Sequence, residues 1–382
     1  MKKQVVIVLL SITLLSGCNN PVHKELAPSS CNDDTLSLKE LGLSSWKDTK
    51  LDGQDSVTIH SIIEYVKSVT CENSKNTIPV KDRIAVFDMD GTIACEKPVS
   101  MEIFCMYTLA FNDTITSVKN DTVYTKNGKS FPVDSLAKKI MTKLKNKNIS
   151  SDLLVAKYSS LLNQIININI PKYKPDSILL KNQFYKPMVE LIHYLKKNDF
   201  QVYIVSGSLQ QFIWSAVENV DTLKIDRSHI IGSLVNYDTV HYYTRGDGNK
   251  FFFDINNSMT NTSRNKAVNI YNKIGKIPVF AFGNTVNDFD MFAFTSSNNK
   301  KNKGDIPYKT MCVLLNHDDS TLEANYHPFH KDFVKLHWND SNFSDTTKWR
   351  KHIFDTIMQN HSWKIANISE CFVDKFVFVD NN

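Results

Sequence analysis

Short apolar runs alternate with amphipathic stretches along this chain. Three apolar runs of four to six residues each lead into a polar loop, as buried strands commonly do. The three runs are residues 84–87, 202–205 and 277–282. Stretches with apolar residues at helical spacing include residues 56–69, 103–110, 136–144 and 187–197. Strands that alternate with helices predict an α/β fold with a largely parallel sheet.

The loop after the first apolar run carries two carboxylates. Residues 88–92 have the sequence Asp-Met-Asp-Gly-Thr. Side chains two positions apart in an extended segment point the same way, so we expect Asp88 and Asp90 on one side of the sheet's C-terminal edge. One carboxylate can attack phosphorus while the other protonates the leaving oxygen and later activates water. An ordinary acidic turn closing a strand is the alternative.

Polar residues also follow the two later strands. The second run ends in Ser-Gly-Ser at residues 206–208, where a hydroxyl and backbone N–H groups can bind phosphate as a helix begins. Asn284 and Asp288 follow the third run, and Lys266 lies near the start of a helical stretch between the two loops. Taken singly, a Ser-Gly turn and a solvated lysine are ordinary surface features.

Together these loops resemble the four motifs of the haloacid dehalogenase (HAD) superfamily of hydrolases. The residues that carry the resemblance are Asp88, Asp90, Gly91, Thr92, Ser206, Lys266, Gly283, Asn284 and Asp288. The similarity spans about residues 40–330 and is closest to a bacterial, phosphoserine-phosphatase-like branch. Further resemblance to that branch lies at residues 43–46, 83–87, 95–98 and 316–319. The implied fold is α/β, a HAD-type Rossmann-like parallel sheet core with an inserted, mainly helical cap.

The resemblance implies a division of the chain. Residues 41–92 and 185–330 would form the core, and residues 93–184, inserted between the first two motifs, would form a cap over the active site. Residues 331–382 would be a C-terminal extension packing on the core, with a strand-like end at residues 372–379.

The resemblance also implies a role for each motif residue. Asp88 is the expected nucleophile, Asp90 the general acid and base, and Lys266 the cation that neutralises an aspartyl-phosphate. The expected phosphate-binding residues are Thr92, Ser206 and Gly207. The expected Mg²⁺ ligands are Asp88, Asp90 through its backbone carbonyl, Asn284 and Asp288. Mg²⁺ prefers oxygen ligands, and phosphoryl transfer needs cations around the transferred group. Superfamily members that dehalogenate lack the second aspartate, so Asp90 favours phosphate chemistry.

The expected substrate is a small phosphorylated metabolite. Glu96 and Lys97 lie a turn or two past the catalytic loop and are candidates to contact the leaving group. Phosphoserine phosphatases carry a glutamate one position later than Glu96, and a solvated helix start is the alternative. His317 and the two aspartates after it end a strand on the catalytic edge, where a polar turn explains them equally well.

Composition fits an enzyme and argues against nucleic acid as a partner. The chain has 382 residues, of which 42% are hydrophobic, enough for a full core. The net charge of +5 is spread through loops, without a basic stripe carrying interleaved aromatic residues.

The N-terminus has the features of an export signal. A basic start, an apolar run over residues 5–15 and a Leu-Ser-Gly-Cys ending at Cys18 follow one another, and the run is too short to span a bilayer. The ending resembles a bacterial lipobox, with Cys18 as the lipidated residue. We therefore expect a signal peptide at residues 1–18, a polar tether at residues 19–40, and a membrane-anchored lipoprotein on the periplasmic or cell-surface side. A plain secretory signal is the alternative.

Six cysteines remain after Cys18, which permits disulfides in an exported protein. Cys31 and Cys71 are the favoured pair. Cys95 and Cys105 would lie about 15 Å apart on one helix, beyond disulfide reach.

The leading functional prediction is an exported, Mg²⁺-dependent phosphomonoester phosphatase that works through an aspartyl-phosphate. One alternative is a catalytically degenerate HAD-fold lipoprotein that binds phosphorylated ligands or protein partners. Another is a surface-assembly lipoprotein that uses the core as a scaffold.

Overall fold

A seven-stranded sheet forms the centre of the molecule. The computed structural model describes residues 36–49, 57–96, 99–119, 122–144, 151–167, 177–220, 223–237, 253–299, 307–319 and 362–373. The strands are β1 (Ile84–Phe87), β2 (Ile115–Lys119), β3 (Thr122–Thr125), β4 (Ser130–Pro132), β5 (Ile165–Asn167), β6 (Ser177–Leu179), β7 (Gln201–Leu209), β8 (Ile230–Tyr237), β9 (Phe253–Met259), β10 (Phe280–Gly283), β11 (Met311–Asn316) and β12 (Trp363–Asn367). The helices are α1 (Leu38–Leu41), α2 (Ile59–Thr70), α3 (Met101–Phe111), α4 (Val133–Leu144), α5 (Ser151–Leu162), α6 (Lys186–Lys197), α7 (Gln210–Glu218), α8 (Arg264–Ile274), α9 (Phe289–Ser297) and α10 (Ile368–Cys371).

The strand order in the central sheet is β12-β11-β10-β1-β7-β8-β9. The first six of these strands run parallel, and only β9 pairs antiparallel, with β8. This architecture confirms the α/β fold with a Rossmann-like parallel sheet.

Both faces of the sheet are buried. Every residue of β1 is buried, and alternate side chains enter different apolar clusters. Ala85 and Phe87 join a cluster with residues of α2 and α6, whereas Ile84 and Val86 join one with residues of α8 and α9. Strands that helices cover on both faces have continuous apolar runs, and this explains the sequence pattern.

The insertion between β1 and β7 contains more than helices. Besides α3, α4 and α5 it holds an antiparallel sheet of β2, β3 and β4 and a β5–β6 pair. Periodicity did not predict these short strands. Where the chain leaves and re-enters the core, the Cys95 amide donates to the Gln183 carbonyl at 2.7 Å, and the Tyr185 amide donates to the Ile93 carbonyl at 2.9 Å.

The C-terminal part contributes a strand to the sheet, and does not only pack on the core. This strand is β12, at residues 363–367, which the sequence did not predict. Most of the strand-like end expected at residues 372–379 lies outside the described residues, so that expectation stays a prediction. The amide of Val57 donates to the Ile365 carbonyl at 2.8 Å and covers part of this edge of the sheet.

The cysteines partly test the predicted pairing. Cys95, Cys105, Cys312 and Cys371 are buried thiols that form no disulfide, which confirms that Cys95 and Cys105 do not pair. Cys71 is disulfide-bonded. Its expected partner Cys31 lies outside the described residues, so that pairing stays a prediction.

The predicted signal peptide, Cys18 and Lys97 also lie outside the described residues. Within the part of the chain that the structure describes, every helix is too short or too polar to cross a bilayer.

Candidate active site

Three neighbouring strands bring the predicted site residues to one edge of the sheet. β10, β1 and β7 lie side by side and run parallel, so their C-terminal ends meet. Asp88 and Asp90 follow β1, Asn284 follows β10, and Ser206 lies in the last part of β7. This is the edge where open α/β sheets hold their ligands.

A buried lysine joins the two motifs. Lys266 lies in the first turn of α8, and its Nζ is 2.5 Å from Asp88 Oδ1 and 2.6 Å from Asp288 Oδ1. All three residues are buried. Although burial alone would lower it, the two carboxylates raise the pKa of the Lys266 ammonium. Burial raises the pKa of Asp88, an effect that the Lys266 charge opposes. Two carboxylates face one ammonium here, which favours an additional cation.

Asp288 shapes the loop after β10. Its Oδ2 accepts hydrogen bonds from the backbone amides of Asn284 and Thr285, both at 3.0 Å, while Oδ1 accepts from Lys266. A Cβ on Gly283 would lie 2.5 Å from the Asp288 Cγ, so only glycine leaves room for this carboxylate. These contacts make Asp288 a loop anchor. A direct contact between Asp288 and a metal would therefore use Oδ1.

Thr92 connects the loops after β1 and β10. Its hydroxyl is fully buried and lies 3.3 Å from Asp88 Oδ2 and 3.4 Å from Asn284 Oδ1. Phosphate binding is predicted for Thr92, and its contacts are with two of the four expected metal ligands, Asp88 and Asn284.

The donor set fits a hard divalent cation. Asp88 Oδ2, Asn284 Oδ1 and the Asp90 backbone carbonyl are all oxygens, the atoms that Mg²⁺ prefers. The described residues contain no cluster of three or more His, Cys, Asp or Glu arranged to bind a metal. The oxygens named above do not form such a cluster, because an amide and a backbone carbonyl are among them.

Asp90 has one bonded and one unbonded carboxylate oxygen. Oδ2 accepts from Ser208 Oγ at 2.6 Å and lies 3.4 Å from Ser206 Oγ. Oδ1 is buried and has no hydrogen-bond partner. Burial raises the pKa of Asp90 to about 6, although the Ser208 hydrogen bond opposes the rise. Such a carboxyl group can donate and accept a proton near neutral pH.

Residues 83–242 match the family model described as haloacid dehalogenase-like hydrolase. Residues 83–242 are thus similar to HAD-like hydrolases, and the match covers less than half of the chain. No curated protein sequence matches the chain. Similar solved structures include a functionally unknown protein from Anaerococcus prevotii, with 15% identity, 71% of this chain and 89% of that chain covered, and a TM-score of 0.40. A phosphoserine phosphohydrolase-like protein from Francisella tularensis has 18% identity and a TM-score of 0.32, and the match covers 66% of this chain and 92% of that chain. A phosphoserine phosphatase in a phospho-aspartyl intermediate analogue form has 12% identity, coverages of 61% and 86%, and a TM-score of 0.31.

The structure at the second motif, residues 206–208, differs from the sequence prediction. The strand does not end at Ser206 but continues as β7 to Leu209, and α7 begins at Gln210. Ser206 is buried, and its Oγ accepts the Ser208 amide at 3.1 Å. Gly207 is exposed at the same edge. The Ser208 amide is therefore used within the protein, and the helix begins later than the sequence suggested. Phosphate binding by Ser206 and Gly207 stays a prediction.

A buried asparagine that the sequence did not single out fixes this strand. Asn261 donates through Nδ2 to the Ser206 carbonyl at 3.0 Å and to the Ile231 carbonyl at 2.8 Å. It thereby ties the ends of β7 and β8 to the segment that leads into α8. A lone asparagine in a polar stretch carries no sequence signal for such a role.

His317 contacts the catalytic loop. Its Nε2 is 2.7 Å from the Gly91 carbonyl oxygen, and because a carbonyl only accepts, the imidazole donates. Gly91 has φ of +77°, a backbone conformation that glycine adopts readily. Asp318 accepts from the Ser369 amide at 2.9 Å, so it anchors α10.

The acidic residues of the insertion lie near Asp90. Glu96, a predicted substrate contact, is partly exposed, and its charge contributes to the raised pKa of Asp90. Glu102, which the sequence did not single out, lies in the first turn of α3, and its Oε1 accepts the Leu209 amide at 2.8 Å. Burial, and then the charge of Asp90, raise the pKa of Glu102 to about 7.

Proposed function

We propose that this protein is an exported, Mg²⁺-dependent phosphomonoester phosphatase that works through an aspartyl-phosphate on Asp88. One observation carries the proposal. Asp88 is ion-paired with the buried Lys266, and the same loop holds Asp90 with one buried, unbonded oxygen. A nucleophile and a proton donor thus stand together at the edge of the sheet.

The residues supply both halves of the reaction. Asp88 attacks phosphorus, and the bond from phosphorus to the leaving oxygen breaks while Asp90 gives that oxygen a proton. Asp90 then takes a proton from water as the water oxygen attacks phosphorus. The bond from phosphorus to Asp88 breaks, which releases inorganic phosphate and restores both carboxyl groups. Lys266 neutralises charge on the Asp88 side throughout.

Mg²⁺ would be held by Asp88, Asn284, the Asp90 backbone carbonyl and Asp288, and Asp288 also fixes the loop. When bound, the cation offsets the negative charge that phosphoryl transfer spreads over the phosphate oxygens. Thr92 keeps the Asp88 and Asn284 side chains close together, since its hydroxyl contacts both.

The substrate class and location rest on the sequence. We propose a small phosphorylated metabolite as substrate, with Glu96 and Lys97 as candidates to contact its leaving group, and no nucleic-acid partner. The signal at residues 1–18 and lipidation at Cys18 would anchor the protein to a membrane on the exported side. The disulfide at Cys71 supports export, because disulfides persist in oxidising compartments.

Phosphate release from aryl and alkyl phosphate monoesters, with and without Mg²⁺, tests the proposal. We expect Mg²⁺-dependent release by the purified protein and a loss of several orders of magnitude in Asp88→Asn, since an amide does not attack phosphorus. Asp290→Asn is the matched control, because Asp290 is exposed in the first turn of α9, two residues after the buried Asp288. Phosphorylated-ligand binding without any release would favour the degenerate alternative.

A further inference from the structure

Glu102 joins the inserted cap to the core strand beside Asp90. It lies in the first turn of α3, where a helix N-terminus favours a carboxylate. Its Oε1 accepts the amide of Leu209, the last residue of β7, at 2.8 Å. A residue of the insertion therefore holds the C-terminal end of a core strand.

Ser208 continues this connection to Asp90. Its hydroxyl donates to Asp90 Oδ2 at 2.6 Å, and Ser208 directly precedes Leu209, whose amide Glu102 accepts. Two consecutive residues of β7 are thus held by two carboxyl groups, one on the cap and one on the loop after β1. The Ser208 amide donates to Ser206 Oγ, which fixes the backbone at this position.

The bond to Ser208 determines the orientation of the Asp90 carboxyl group. Because Oδ2 is held by Ser208, rotation of the group is restricted and Oδ1 keeps one direction. Oδ1 is the buried oxygen without a partner, so it is the atom available for proton transfer. Proton transfer requires the acid within hydrogen-bond reach of the leaving oxygen.

We propose that Glu102, acting through Ser208, is a positioning residue for Asp90 and makes the cap part of the general-acid machinery. The proposal rests on the phosphatase function proposed above. Glu102 and Ser208 need not touch the substrate, and they act by holding Asp90 in its productive orientation. A displacement of about 1 Å in a catalytic group can cost about 10²-fold in rate.

The test compares alkyl and aryl phosphates in four variants of the full chain, Glu102→Ala, Ser208→Ala, the double variant and Glu102→Gln. Alkyl leaving groups need protonation far more than aryl ones. We expect Glu102→Ala and Ser208→Ala each to lower kcat about 10- to 100-fold on the alkyl ester, with a much smaller loss on the aryl ester. The double variant should lose no more than the worse single variant, since both act through one connection. Glu102→Gln keeps an acceptor for the Leu209 amide and should recover most of the rate.

The control is Glu64→Ala, an exposed position on α2 far along the chain from these residues, which should behave as wild type. Equal losses on both esters, additive losses in the double variant, or no recovery in Glu102→Gln would each overturn the positioning role. If wild type hydrolyses neither ester, the phosphatase function fails and the positioning role fails with it. If wild type is active and Glu102→Ala changes kcat equally on the alkyl and aryl esters, only the positioning role fails. Should Glu102→Ala not fold, Ser208→Ala and Glu102→Gln provide the same comparison.

Discussion

At the scale of single residues, the site depends on how closely Gly283 approaches Asp288. The glycine lets the Asp288 carboxylate accept two backbone amides and the Lys266 ammonium at once. Asp288 is completely buried, so these bonds compensate for the loss of hydration of its charge. The position of Lys266, and through it that of Asp88, follows from this contact.

Gly283→Ala should therefore destabilise the protein and lower phosphate release. The added Cβ would lie 2.5 Å from the Asp288 Cγ, and the carboxylate would have to move. We expect a loss of about 1–3 kcal/mol in the free energy of unfolding, measured with denaturant. Gly207→Ala is a milder comparison, because its Cβ would meet only a Thr262 methyl group at 3.1 Å. Equal stability of Gly283→Ala and wild type would show that the loop adapts at no cost.

The sequence anticipated the residues of this cluster better than those around it. Asp88, Lys266, Asn284 and Asp288 follow strands or open a helix, and the structure brings them together. Glu102 and Asn261 escaped notice because their contacts join parts of the chain that are remote in sequence, and Ser208 was noted only as part of the Ser-Gly-Ser turn. Glu102 contacts Leu209 across 107 residues, and no local pattern encodes such a pair.

At the scale of elements, loops from different strands hold one another in place. His317 follows β11, and its imidazole binds the Gly91 carbonyl in the loop after β1. Gly91 follows Asp90 directly, so this bond fixes the catalytic turn from the neighbouring part of the sheet. His317 therefore makes the contact of a positioning group, which a residue in a solvated turn would not make.

His317→Leu should lower phosphate release, while His317→Gln should retain most of it. Leucine fills similar space but leaves a buried carbonyl without a donor, whereas the glutamine amide can still donate to it. We expect roughly a tenfold lower kcat for the leucine variant, because misplacement of a catalytic loop is costly. Rates measured on one aryl ester, alongside melting temperatures, distinguish this effect from unfolding. Identical rates in the two variants would contradict the role given to this hydrogen bond.

Element prediction succeeded where apolar runs are continuous. The three apolar runs correspond to β1, β7 and β10, and the spacing near residues 187–197 corresponds to α6. β7 is longer than predicted because Leu209 still pairs with Ser233 of β8 despite the polar residues before it. β12 was not predicted because its residues lie in a polar region, where only pairing with β11 marks them as a strand.

At the scale of the whole molecule, the two ends of the described chain pack together. Trp46 pairs with Phe372, their ring centroids 5.0 Å apart, and the Val373 amide donates to the Ser45 carbonyl at 2.8 Å. The chain thus returns to its N-terminal segment after completing the sheet. An anchor at Cys18 would be joined to this segment by the polar tether predicted at residues 19–40.

Cys18→Ala tests the proposed anchor. Without the thiol no lipid can be attached, so fatty-acid labelling should disappear and the protein should leave the membrane fraction. Specific activity should not change, since the predicted site lies on the folded part. Labelling that persists in the variant would rule out lipidation at Cys18.

The central claim is that Asp88 becomes phosphorylated during turnover. The most direct measurement is acid quenching of the protein during hydrolysis of a phosphate ester with a radiolabelled phosphoryl group, followed by peptide mapping. The account predicts label on the peptide that contains Asp88, present in wild type and absent in Asp88→Asn. Steady phosphate release with no label on that peptide at any quench time, or equal label in the Asp88→Asn variant, would contradict it.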